Sequence, residues 1–113
     1  MGDEDDRKAL ERRIKKFDRK LQQLRSGKPK RREVERFAIW LGRERLTGTQ
    51  ARGEPTYQSK VFSHLRVITI PYHSADLKKG TAMKILDQLE GMDIAAYRNL
   101  LETGESKDVD EDA

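Results

Sequence analysis

Val67 to Asp93, VITIPYHSADLKKGTAMKILDQLEGMD, constrains the fold more than any other stretch, because it reads as a strand, a loop and a helix in immediate succession. Val67, Ile68, Thr69 and Ile70 form a β-branched run suited to a pleated surface. Pro71 stops it, since proline has no N–H for a ladder and a fixed φ. Thr81 has the hydroxyl of an N-cap residue, and Ala82, Ile85, Leu86 and Leu89 then recur at helical spacing. Gly91 occupies the place of a left-handed C′ residue. The loop from Tyr72 to Gly80 carries His73, Lys78 and Lys79.

Upstream, Leu10, Ile14, Phe17, Leu21 and Leu24 alternate spacings of four and three, which predicts an amphipathic helix over residues 7–27. Two heptads allow two readings: a helix packed on its own domain, or a homodimer through residues 10–24. Ser26-Gly27-Lys28-Pro29 ends that helix, with Gly27 suited to C′. A second helix runs from about Pro29 to Leu41, its inward stripe Val34, Phe37, Ala38 and Leu41 and its stop Gly42. Trp40 lies off the stripe, placed either to pack on the first helix or to stack on a base. Gly48 and Gly53 punctuate two weakly alternating strands, about Arg45–Gln50 and Thr56–Phe62, and Ser63-His64 turns the chain into the Val67 strand. Asp93 caps a last short helix whose inward face is Ile94, Tyr97, Leu100 and Leu101, ended by Gly104.

The resulting order, α-α-β-β-β-α-α, calls for an α+β sandwich, because a small antiparallel sheet must cover one face with helices to obtain a core. At 113 residues and 39% charged, the chain has material for one small core. It contains no cysteine, which excludes disulfides, thiolate metal sites and cysteine nucleophiles and fits a reducing, cytoplasmic setting. No apolar run approaches the ~18 residues of a membrane span. The acidic ends, residues 1–6 and 105–113, hold little to bury and are expected to be disordered.

The net charge of +4 is unevenly spread: residues 7–45 contain 16 Lys or Arg against 5 Asp or Glu. Such a basic segment is either a solvated helix surface or a face for a polyanion or an acidic partner. Lys28, Lys30, Arg31, Arg32 and Arg36 at the second helix, with Lys78 and Lys79 before the third, are the candidate phosphate-binding residues. With two histidines and no cysteine, no metal or other cofactor is expected.

Ile68-Thr69-Ile70-Pro71, one residue, His73, then Leu77-Lys78-Lys79-Gly80-Thr81 and an Ile-Leu helix resemble the second half of the HicA (YcfA-like) family of messenger-RNA interferase toxins. The resemblance covers residues 30 to 102, within a HicA-like unit taken as 28–104, and leaves the first helix as an addition. It implies a fold like a double-stranded-RNA-binding domain, a three-stranded antiparallel sheet on two helices, and a HicB-like antitoxin as partner. It also implies RNA cleavage by a histidine in a Gly-Ser-His motif at the start of the second strand. Here that motif reads Gly53-Glu54-Pro55. Proline titrates nothing, and Glu54 needs a pKa raised by about two units to serve as an acid near neutral pH.

Three functions are therefore expected to compete. One is an RNA-binding protein with lost or altered ribonuclease activity; another is an active, metal-independent endoribonuclease using His73, whose imidazole has an ordinary pKa of about 6.5; the third is an interaction module that dimerises through the heptad helix and binds an acidic partner. His73 stands either as a catalytic or phosphate-holding group near the helix N-terminus or as a loop residue bonding backbone. Ser63-His64 resembles the missing pair in composition, but only Leu65 and Arg66 separate it from the Val67 strand.

Overall fold

The computed structural model describes residues 2–46, 55–71 and 77–104, with side chains from residue 5 onward. Four helices and three strands follow in the order α1 (Gly2–Ser26), α2 (Arg31–Trp40), β1 (Arg43–Arg45), β2 (Thr56–Ser59), β3 (Ile68–Thr69), α3 (Lys79–Leu89) and α4 (Ala95–Thr103). A π-helical turn, Glu90–Ile94, joins the last two. The α+β class and the three-stranded sheet expected above are both present.

Helix α1 begins at Gly2, not after an acidic tail. The Asp5 and Asp6 carboxylates lie near the positive end of the helix dipole, which they suit, and the helix covers a stretch expected to be disordered. Its seam is buried in the chain's own core: Ile14, Phe17, Leu21 and Leu24 are nearly inaccessible and Leu10 packs at the margin. Pairing two copies through residues 10–24 would require that seam to leave the core. Gly27 does not take the left-handed conformation; only Gly42 and Gly104 do among the described residues. The stop at Ser26 therefore rests on Pro29, which cannot continue the helix.

Helix α2 buries Val34, Phe37 and Ala38, with Leu41 just beyond, and the Glu33 carboxylate accepts a hydrogen bond from the Lys30 backbone N–H at 2.9 Å. Gly42 ends it at φ 110°, and a Cβ there would lie 2.6 Å from a Val61 methyl, so both backbone and space require glycine.

The sheet order is β1-β2-β3, antiparallel throughout, with Arg43 opposite Ser59, Arg45 opposite Tyr57, and Tyr57 opposite Ile68. Strand β1 starts two residues earlier than the sequence suggested, and the expected strand residues beyond Leu46 fall outside the described part. Tyr57, Ser59, Ile68 and Ile70 point inward, whereas Glu44, Gln58 and Thr69 lie toward the other, more open face. Helices α2 and α3 pack beside the sheet, and α1 lies across α2, α3 and α4 as an outer layer.

The chain departs most from expectation after Leu89. Thr81 is inside α3, which starts at Lys79 behind the N-cap residue Lys78, so its hydroxyl does not cap the helix. Gly91 does not end it, and Asp93 does not cap the next one. The Ala95 N–H instead reaches back five residues to the Glu90 carbonyl, the helix gains a residue over that turn, and Asp93 and Ile94 are both buried. Gly104, at φ 81°, does end α4, donating to the Leu100 carbonyl at 2.7 Å.

Asp93 meets Arg43, both side chains fully inaccessible. Arg43 Nε and Nη2 hold the carboxylate at 2.7–3.1 Å, and Nη1 donates to the Tyr57 and Arg66 carbonyls at 2.9 Å each. Burial pushes the Asp93 carboxyl above the usual range, and the guanidinium pulls against that shift. Removing one partner strands the other as an unpaired buried group, so Asp93→Ala is expected to cost about 3–5 kcal/mol in urea unfolding. The double variant Arg43→Met, Asp93→Leu should fall short of the sum of the two single losses by more than about 1 kcal/mol; strict additivity would mean the pair is not coupled.

Candidate nucleic-acid interface

Because α1 is the outermost layer, the side away from its apolar seam faces solvent. Lys8, Arg12, Lys16 and Lys20 follow one another at i, i+4 from that side round toward the flank, with Lys15 and Arg19 beside them, and all six are exposed. From Lys8 to Lys20 the row spans about 18 Å at 1.5 Å per residue. Two charged groups on the helix's flank are engaged with its neighbours, while Glu11 is exposed one turn from Lys8 and Lys15: Asp18 accepts from Arg98 at 2.7 Å, and Arg25 bonds Asp87 and Glu90 at 2.8 and 2.6 Å. Arg7 donates to the Leu101 carbonyl at 2.9 Å. The flank thus anchors α1 to α3 and α4 while the cationic row is exposed. None of these six was among the residues singled out from the sequence, although their place away from the heptad seam was visible there.

The sequence-predicted residues divide. Lys28, Lys30, Arg32, Arg36, Lys78 and Lys79 are exposed. Arg32 and Arg36 share one row of α2 with Trp40, while Lys78 and Lys79 flank the start of α3. Arg31 differs: its guanidinium donates to the Pro71 carbonyl at 3.0 Å, to Glu35 at 3.2 Å and to the Tyr57 hydroxyl at 3.3 Å. It ties α2 to the sheet and to the segment leading toward α3, so its guanidinium is engaged within the fold.

The expected histidine chemistry finds less. His73 and residues 52–54 lie outside the described residues. Pro55, the residue expected to stand in for a catalytic histidine, is buried and its carbonyl accepts from the Ile70 N–H at 3.2 Å, closing the β2–β3 pair. His64 is exposed and meets the Phe62 ring edge-on at 6.2 Å beside an open notch of about 300 Å³ lined by Leu65, Gly91, Met92 and Asn99. Among the described residues no cluster of three His, Asp or Glu side chains could hold a metal. Nor is any helix there long and apolar enough to cross a membrane.

No protein-family model, curated protein or solved structure matches this chain. The geometry therefore stands on its own: two helices present exposed cations, and the position expected to carry proton transfer carries a buried proline.

Among the described residues, the Tyr57 hydroxyl is strongly shifted. Burial, reinforced by its hydrogen bond to Glu35, pushes the Tyr57 hydroxyl up to about 12. An unfolded tyrosine ionises near pH 10, so between about 10 and 12 the folded chain holds a proton the unfolded chain has lost. This contribution to stability is complete below about pH 10 and disappears as pH rises toward 12. The stability difference between wild type and Tyr57→Phe, followed by urea unfolding, should decline by roughly 2 kcal/mol across that window, and a pH-independent difference would contradict the assignment.

Proposed function

We propose that this protein binds RNA through the exposed cations of α1, α2 and the start of α3, and that it is a HicA-like protein whose ribonuclease activity is lost or altered. The observation that carries the reading is the solvent-facing row Lys8, Arg12, Lys16 and Lys20, with Lys15 and Arg19 alongside, next to a second helix bearing Arg32 and Arg36. Each cation that meets a phosphate releases condensed counterions, which supplies affinity without reading sequence. Contacts of this kind from helices and loops suit the shape and backbone of structured RNA.

The buried Pro55 supports binding over cleavage, since a side chain without an ionisable group cannot take the proton of a ribose 2′-hydroxyl. The resemblance of residues 30 to 102 adds a HicB-like antitoxin as protein partner and a cytoplasmic setting to the same reading.

Binding of a labelled RNA hairpin, followed by anisotropy, tests it. For four phosphate contacts, affinity should fall about a hundredfold between 50 and 200 mM salt, from a log–log slope of roughly −0.8 per contact. Lys16→Glu with Lys20→Glu should weaken binding at low salt, and the RNA should remain uncut after prolonged incubation. Salt-independent binding would defeat the proposal. RNA that is cut by the wild-type protein but stays intact with His73→Ala protein would establish the endonuclease reading in its place.

A further inference from the structure

Trp40 is the single tryptophan of the chain and stands 44% exposed at the end of the Arg32, Arg36 row, with Ile39 beside it 51% exposed. Two large apolar side chains left open within a strongly cationic surface call for an explanation that burial does not supply. The indole is braced from beneath. Its ring meets Phe17 edge-on at 4.9 Å with an interplanar angle of 83°, and lies 6.2 Å from Phe37 at 51°. Neither ring is parallel to it, so neither takes the place of a stacked partner.

Cations share the surface that carries this platform. Arg36 precedes Trp40 by one helical turn and Arg32 by two, and both are exposed. On α1, the Arg13 guanidinium lies 5.6 Å from the centres of both the Phe17 and the Tyr97 rings, and Lys16 and Lys20 are exposed on the same helix. An aromatic face on a row of arginines has the chemistry of a single-strand contact, in which a base stacks while its phosphates are neutralised alongside. A base inside a duplex has both faces covered by its neighbours and cannot use such a platform.

We infer that Trp40 stacks on an unpaired nucleotide, so that the preferred ligand is RNA with a single-stranded segment next to the phosphates held by α1 and α2. This rests on the RNA-binding reading above and deepens it from backbone binding to a choice of RNA form. The site is sequence-tolerant, since every base offers a π-face.

The tryptophan is its own reporter. Two RNAs are compared with the full chain at low salt: a blunt hairpin, and the same hairpin with a five-nucleotide single-stranded overhang. Anisotropy of the labelled RNA reads affinity, and indole fluorescence reads contact. The overhang RNA should bind more tightly and quench Trp40 fluorescence. Trp40→Leu, which retains apolar contact with Phe17, should remove that preference, by roughly 5- to 100-fold on the scale of one stacked base. Trp40→Phe should retain most of it. If both RNAs bind equally, leave the fluorescence unchanged and bind the Trp40→Leu protein as they bind wild type, stacking is refuted while RNA binding stands. If neither RNA is retained at low salt, the RNA-binding reading fails and the stacking inference with it.

Discussion

The buried pair of Arg43 and Asp93 is the contact on which the arrangement of this small protein depends. Arg43 sits in the first strand and Asp93 in the π-helical turn, so one guanidinium joins the sheet to the helical layer. Its remaining N–H groups satisfy carbonyls of Tyr57 and Arg66, leaving no buried donor idle. Ion pairs this deep contribute little net stability compared with apolar packing, but an unpaired member is costly, which penalises registers in which the two do not meet. The π turn is consistent with that demand: it carries α3 into α4 without a break and leaves Asp93 and the next residue, Ile94, both inside.

Fixing the sheet and α4 in this way fixes α1 as well. Tyr97 of α4 donates its hydroxyl proton to the Leu41 carbonyl at 2.8 Å and packs its ring against Phe17 and Phe62, about 5 Å from each. Phe17 then meets Trp40 on its other side, so one aromatic chain runs from α4 through α1 to α2. The outer position of α1 follows, and with it the exposure of its cations. Surface charge in this molecule is thus a consequence of core packing: residues opposite a buried seam have only solvent or a ligand to meet.

Residues whose role follows from local pattern were legible without coordinates. The heptad spacing of Leu10 to Leu24, the stripe Val34, Phe37, Ala38 and Leu41, and Gly42 and Gly104 as helix stops behave as their periodicity and backbone freedom require, whereas the β-branched run before Pro71 pairs only over Ile68–Thr69 and leaves Val67 exposed. The errors share one origin. Thr81, Gly91 and Asp93 carry strong local signals for caps and stops, yet a cap is needed only where a helix ends, and tertiary packing moved the start back and removed the break. Arg31 and Arg43 were unreadable for a related reason, since a charged residue is counted as solvent-facing until its partner, four or fifty positions away, is known. The α1 row was readable from the same periodicity that gave its seam.

Sequence alone determined the order of helices and strands, that helices must cover one face of a three-stranded sheet, and that the basic charge is concentrated in residues 7–45. These are properties of spacing and composition, carried by neighbours along the chain. Only the tertiary structure decided which arginines are buried and which are exposed, that α3 and α4 are one continuous helical path, and that Trp40 stands open beside Phe17. Such outcomes depend on pairings between residues far apart in sequence, whose energies are not encoded in either partner's local pattern.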